Sequence, residues 1–203
     1  MKAIGPDGFE AMFQTNVDPW NYVTSPFEAF KRQVLLRACG NRTYGRTLEL
    51  ACANGETTLA LAPRSLRLLA VDSSPTVLAE AERRTAQLGR VETRQAVLPQ
   101  DLPKGPFDLI VVSEILYYLG IRDGRILLQG LAAASSGRIV IVHHLRDFDD
   151  AAQKPARAQA EARRFFRERM QLAFQERHGR FEALAFDAPQ QRRQSALPTS
   201  DHR

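Results

Sequence analysis

Four consecutive aliphatic residues, Leu109 to Val112, sit inside the segment FDLIVVS with no polar residue among them. A strand wet on one face alternates apolar with polar side chains, whereas an unbroken run marks a strand covered on both faces. Such a strand belongs near the middle of a parallel sheet flanked by helices. The rest of the chain supplies the partners. Strand signals at Thr47 to Ala51, Arg67 to Asp72, Val91 to Gln95, Phe107 to Ser113 and Arg138 to His143 alternate with helical segments, the pattern of an α/β doubly wound fold. Ser74 and Pro75 form a helix start and Gly89 a stop, while Pro63 limits the helix after the first strand to about two turns. AQAEARRFFRERM reads as a further helix. QLAFQERHGRFEALAFD reads as two short strands about His178 and Gly179, so the mostly parallel sheet is expected to end in an antiparallel C-terminal edge hairpin.

At 203 residues, 44% of them hydrophobic, the chain can bury one substantial core. A single domain over 1–188 is expected, with an N-terminal helical lid at about 8–40 and a polar, mobile tail at 189–203. Two cysteines, Cys39 and Cys52, give no disulfide framework and suit a reducing interior. No metal-ligand spacing occurs, so no metal is expected. The N-terminal MKAIGPDGFEAMF has no leader-like apolar core, and no stretch approaches the ~20 apolar residues of a spanning helix. The expectation is a cytoplasmic protein without a membrane partner, monomeric or weakly dimeric. The net charge of +5 raises the question of nucleic acid. The arginines are scattered and gather late, at Arg157, Arg163, Arg164, Arg167 and Arg169 and then Arg192 and Arg193. That is a solvated helix face and a loose tail, with no groove-reading motif, and no nucleic-acid partner is expected.

The stretch LELACANGETTLA, residues 48 to 60, places Glu49 in a buried strand and then crowds Ala51, Ala53 and Gly55 at alternate positions. In a doubly wound sheet the first strand-to-helix turn must let a ligand approach the backbone closely, which calls for small residues. A dinucleotide fingerprint laid on Ala51 and Ala53 would need a third small residue at position 56, where Glu56 stands. The spacing that fits is acid-x-small-x-small-x-Gly.

That pattern resembles motif I of the class I S-adenosylmethionine (SAM) dependent methyltransferases, whose sheet is Rossmann-like. The resemblance implies that Glu49 and the turn at Ala51, Cys52, Ala53 and Gly55 hold the methionine moiety of the cofactor. Two of the usual glycines are alanine, and both alanines are expected to avoid positive φ, where alanine is strained. Asp72 follows Glu49 by 23 positions at a strand tip, where a carboxylate can accept both hydroxyls of a ribose. Ser73 and Ser74 would lie near the adenine. Ala96 and Val97 stand where many relatives carry an acid, so backbone groups at Ala96 to Leu98, or else Asp101, are expected to meet the adenine. Ser113 at the fourth strand tip would touch the cofactor.

DPW, then SPFE ahead of a helix, together with FDLIVVSEILYYL, is similar to the nodulation protein NodS branch of these enzymes, from about Asp18 to Leu145. NodS N-methylates the free amino group of the terminal glucosamine of a chitooligosaccharide, so the resemblance implies a small-molecule acceptor, most readily an amino sugar. Glu114 is the expected general base, with His143 and His144 next. Trp20, Tyr22, Tyr117, Tyr118 and His144 are expected to line the acceptor side, Trp20 and Tyr22 as part of the lid. Two readings stay open beside this one: a methyltransferase on an unrelated small molecule, and an inactive SAM-binding regulator.

Overall fold

The computed structural model describes residues 3–189. Seven strands form one sheet in the order β3-β2-β1-β4-β5-β7-β6. The strands are β1 (Tyr44–Leu50), β2 (Ser65–Asp72), β3 (Val91–Gln95), β4 (Phe107–Ser113), β5 (Ser135–His144), β6 (Gln171–Arg177) and β7 (Phe181–Asp187). The first five pair in parallel, and β7 runs antiparallel between β5 and β6. The mostly parallel doubly wound sheet with its antiparallel C-terminal hairpin is therefore as the sequence implies. The tail at 190–203 lies outside the described residues.

The unbroken aliphatic run of β4 does what its pattern requires. Leu109 and Val111 pack into one cluster with Val34, Leu35 and Ala38 of α2 (Pro26–Cys39). Ile110 and Val112 point the other way, into a cluster with Leu127 and Leu131 of α5 (Ile121–Ala134) and Ala162 and Phe166 of α6 (Pro155–Arg167). All four residues are fully buried, as period-two alternation in a twice-covered strand dictates.

Local chemistry sets the helix starts. Ser74 accepts from the Val77 N–H at 3.2 Å and Pro75 opens α4 (Pro75–Thr85); Ser25 and Pro26 do the same for α2, with Glu28 N–H donating to the Ser25 hydroxyl at 3.3 Å. The α4 helix ends at Thr85, four residues before the Gly89 stop read from sequence, in a turn closed by Leu88 N–H donating to Thr85 O at 2.8 Å. The helix after β1, α3 (Glu56–Leu61), is limited to six residues ahead of Pro63. Ahead of α2 lies α1 (Pro6–Thr15). Strand order reverses between β1 and β4, and beyond their carboxyl ends lies the crevice where such sheets take ligands.

Candidate active site

A cavity of about 450 Å³ opens at that reversal. Its floor is the turn after β1, its walls are the tips of β2, β4 and β5, and its roof is α1 with the segment leading into α2. Of the residues singled out from sequence, Glu49, Ala51, Cys52, Ala53, Asp72, Ser73, Ala96, Val97, Ser113, Glu114, Trp20, Tyr22, Tyr117, Tyr118 and His144 all line it. Gly55 and His143 do not.

The turn corrects one expectation. Ala51 has φ 52° and Ala53 φ 46°, both left-handed. The turn adopts the left-handed backbone that glycine favours although the residues are alanines. Each such alanine costs about 1–2 kcal/mol. Neighbouring bonds hold the turn in place: Cys52 N–H donates to Val71 O at 3.0 Å, and Ala53 N–H donates to Asp72 Oδ2 at 3.0 Å. Gly55, at φ 81°, caps α3. A Cβ there would lie 3.0 Å from the Ala81 Cα, so this glycine serves the packing of α3 on α4. It follows that Ala53→Gly should relieve strain, less the extra freedom glycine gains when unfolded. The expected result is an unchanged or slightly raised melting temperature, by no more than about 2–4 °C, with cofactor affinity equal or better. A clear fall in melting temperature would show that the methyl group is needed in the turn.

Two acids face the cavity, and burial raises both. Glu49 is buried, and its Oε2 has no hydrogen-bond partner. Burial pushes its carboxyl up to about 8, a rise that the Thr58 hydroxyl offsets in part and the Asp72 charge reinforces. Asp72 is buried too, which raises its pKa against the bonds it accepts from Ser74 and Ala53 N–H. Those donors take Oδ1 at 3.1 Å and Oδ2 at 3.0 Å. A carboxylate has about four lone-pair positions, so about two remain for a ligand.

The adenine-side expectation needs amendment. Ala96 N–H donates to Asp72 O at 2.8 Å, and Val97 N–H donates to the Asp101 carboxylate at 2.9 Å. Both backbone donors are already used within the chain. Asp101 is itself outside the cavity lining, and acts by fixing the loop.

Glu114 stands at the tip of β4 with φ 56°. Left-handed backbone in a glutamate is costly and tends to occur where function requires it. Its carboxylate binds Lys31 Nζ at 2.6 Å, accepts from His144 N–H at 2.9 Å, and accepts from the Tyr117 hydroxyl. Burial pushes the group up, but the Lys31 charge, then His143, then the bonds from Lys31 and Tyr117 hold it down at about 2. It is a fixed anion and, as such, a weak proton acceptor. His143 is fully buried: its Nε2 accepts from Leu116 N–H at 3.2 Å, which leaves Nδ1 to donate to Gln159 Oε1 at 2.9 Å. Burial lowers its pKa, and with both nitrogens engaged inside the core it cannot serve as the base expected of it. His144, one residue on and therefore on the other face of β5, lines the cavity.

The roof is aromatic. Trp20 packs edge-on against Phe13 at 5.8 Å between centroids and beside Tyr22 at 5.5 Å, and Phe9 meets Tyr118 edge-on at 4.8 Å. Glu10 of α1 ties the roof down, accepting from the Ser74 and Thr76 hydroxyls at 2.5 Å each. Ser74 is thereby committed to its cap and to Glu10. Sequence reading missed Phe9, Phe13 and Glu10, whose signal was the one-face spacing of 9 and 13 after Pro6. It also missed Lys31, foreshadowed only by Glu28 three residues before it. Among the described residues no cluster of His, Cys, Asp and Glu could hold a metal, and no helix is long and apolar enough to cross a membrane.

The fold has counterparts among known proteins. A solved N-methyltransferase NodS from Bradyrhizobium japonicum WM9, in complex with S-adenosyl-L-homocysteine, superposes with a TM-score of 0.76 at 23% identity, over 89% of this chain and 98% of that one. A candidate methyltransferase from Pseudomonas syringae is 31% identical with a TM-score of 0.66, over 79% of this chain and 98% of that one. Nodulation protein S of Rhizobium tropici is 36% identical over 104 residues, 51% of this chain and 44% of its own length. The chain spans about half the length of the curated relatives it matches. The family model for nodulation protein S (NodS) matches residues 10–133, well over half the sequence, and the chain belongs to that family.

Proposed function

We propose that the chain is a SAM-dependent methyltransferase that methylates the amine of a small molecule, an amino sugar or its oligosaccharide first among candidates. The observation that carries this reading is one cavity in which the left-handed turn after β1, Asp72 at the tip of β2 and the anionic Glu114 at the tip of β4 face one another under an aromatic roof.

The residues fit the cofactor. A left-handed turn admits close approach to the backbone, Asp72 has lone pairs to spare for a ribose diol, and Glu49 Oε2 is a buried, partnerless acceptor suited to an ammonium group. SAM, when bound, supplies an electrophilic methyl group on a sulfonium. The chain does the rest by placement. Ser113, Tyr118 and Phe148 line the same cavity as Glu114, and the roof excludes water that would compete for the methyl group. Holding two reactants in near-attack geometry is worth roughly 7–11 kcal/mol at best, so no covalent residue is needed. An amine acceptor arrives as an ammonium ion, favoured beside the Glu114 anion, and must lose a proton before attack. His144, on the cavity wall next to Glu114, is placed to receive it directly or through water.

Calorimetry with SAM and S-adenosylhomocysteine, followed by mass spectrometry of glucosamine and chitooligosaccharide incubated with SAM, tests the reading. Binding of both nucleosides and gain of a methyl group on nitrogen are expected. Absence of binding by either would remove the cofactor assignment, and binding without transfer to any amine would leave the inactive SAM-binding alternative.

A further inference from the structure

Lys31 is a charged side chain of the cavity lining that no motif announces. It projects from the middle of α2, is only 7% exposed, and lies 2.6 Å from Glu114 and 2.9 Å from Glu28. A lysine buried to this degree needs a reason, because an ammonium group is rarely removed from water without a compensating partner. Here the compensation is double, and the pair is not a surface ornament: the carboxylate that Lys31 touches is the one at the tip of the central strand, in a left-handed residue, facing the cavity.

We propose that Lys31 is a positioning residue that holds Glu114 as a carboxylate at the acceptor end of the cavity, and thereby selects a cationic amine over a neutral or anionic acceptor. The substrate half of this inference rests on the methyltransferase reading; the half concerning Glu114 does not. The groups facing Glu114 are Lys31 and Glu28 from α2, Tyr22 ahead of it, Tyr117 and Tyr118 after β4, and His143 and His144 from β5. Lys31 is the sole permanent cation among them. Tyr117 and the His144 N–H donate bonds but bring no charge, and His143 is biased toward its neutral form. Take Lys31 away and burial, the largest influence on Glu114, acts with less opposition. The carboxyl then gains a proton in the neutral range, and an ammonium acceptor loses the anion that receives it. Glu28, Lys31 and Glu114 together carry one net negative charge, which an incoming ammonium ion neutralises and an incoming carboxylate would double.

The test reads Glu114 directly. Carbon-13 NMR of glutamate side chains, assigned with Glu114→Gln, follows its ionisation in the free protein and in the S-adenosylhomocysteine complex. In the wild-type protein Glu114 should stay ionised at every pH above about 4. In Lys31→Met its midpoint should rise by about four or more pH units, into the neutral range, and Lys31→Arg should restore the wild-type curve. With glucosamine and N-acetylglucosamine as probes, the wild-type preference for the free amine should fall at least tenfold in Lys31→Met and recover in Lys31→Arg. A wild-type Glu114 that titrates near neutrality overturns the proposal without any variant, which covers the case in which Lys31→Met does not fold. So does a Lys31→Met protein in which Glu114 stays ionised as before. Loss of S-adenosylhomocysteine binding in the wild type would instead count against the cofactor assignment, leaving the NMR result standing on its own.

Discussion

Asp72→Ala is expected to weaken binding of SAM and S-adenosylhomocysteine at least 100-fold while the protein still folds. Two contributions add. If the carboxylate receives the ribose diol, the substitution removes two charge-assisted hydrogen bonds, each worth roughly 1.5–3 kcal/mol, and tenfold in affinity corresponds to about 1.4 kcal/mol. The same carboxylate also holds the turn after β1, through Ala53 N–H at 3.0 Å, and the entry to α4, through Ser74 N–H at 3.1 Å. Once Asp72 is gone, the left-handed Ala53 loses the bond that keeps it there. The loss of affinity should therefore exceed what the diol contacts alone supply, and Ala53→Gly, which makes the turn intrinsically tolerant, should recover part of it in the double variant. The fold should survive, since burying the Asp72 carboxylate is itself unfavourable and its removal offsets some of the lost bonding. Calorimetric titration gives the affinities and a melting curve checks the fold. An affinity within threefold of wild type would remove Asp72 from the cofactor site.

How far the site could be read from sequence follows from which interactions are local. The β4 strand and its neighbours were legible because an aliphatic run is a direct statement about two-sided burial, and Leu109 to Val112 divide between two clusters as that statement requires. Strand starts were less so. The β5 strand begins at Ser135, three residues before Arg138, where the strand signal read from sequence starts, because Ser135 pairs with Phe107 across a bulge; pairing, not side-chain character, extends it. The position of Asp72 was legible because a strand tip is fixed by its own strand. The left-handed alanines were not, since the preference of the residue pointed one way and the turn it was built into pointed the other. His143 looked available because it ends a strand, but β7 runs alongside it, pairing His143 with Glu182, and α6 lays Gln159 on its ring. Lys31 and Glu114 lie 83 positions apart in sequence, and no local pattern could join them.

Glu114→Gln separates two roles that the sequence alone could not. As a general base, Glu114 would have to exchange a proton with the acceptor amine during turnover. As a fixed anion, held at about 2 by the Lys31 charge and the bonds from Lys31 and Tyr117 against the effect of burial, it receives and orients the ammonium ion, and the proton leaves by another route. Both roles predict a fall in methylation of an amino-sugar acceptor by about two orders of magnitude, with SAM affinity kept within a few fold. They differ in the pH profile. A carboxylate ionised above about pH 4 adds no limb near neutrality, so an acid limb of kcat/KM between about pH 6 and 8 would belong to the acceptor amine or to a proton acceptor other than Glu114. Glu114→Gln should then lower the plateau and leave the midpoint of that limb in place. Stability should fall as well, because Lys31, Tyr117 and the His144 N–H all donate toward this position and the amide nitrogen of glutamine cannot accept. One buried donor is left without a partner, which costs about 1–3 kcal/mol, a drop of several degrees in melting temperature. If Glu114→Gln instead abolishes the acid limb, the carboxyl was titrating in the working range, and both the anion role and the assignment of Lys31 fall together.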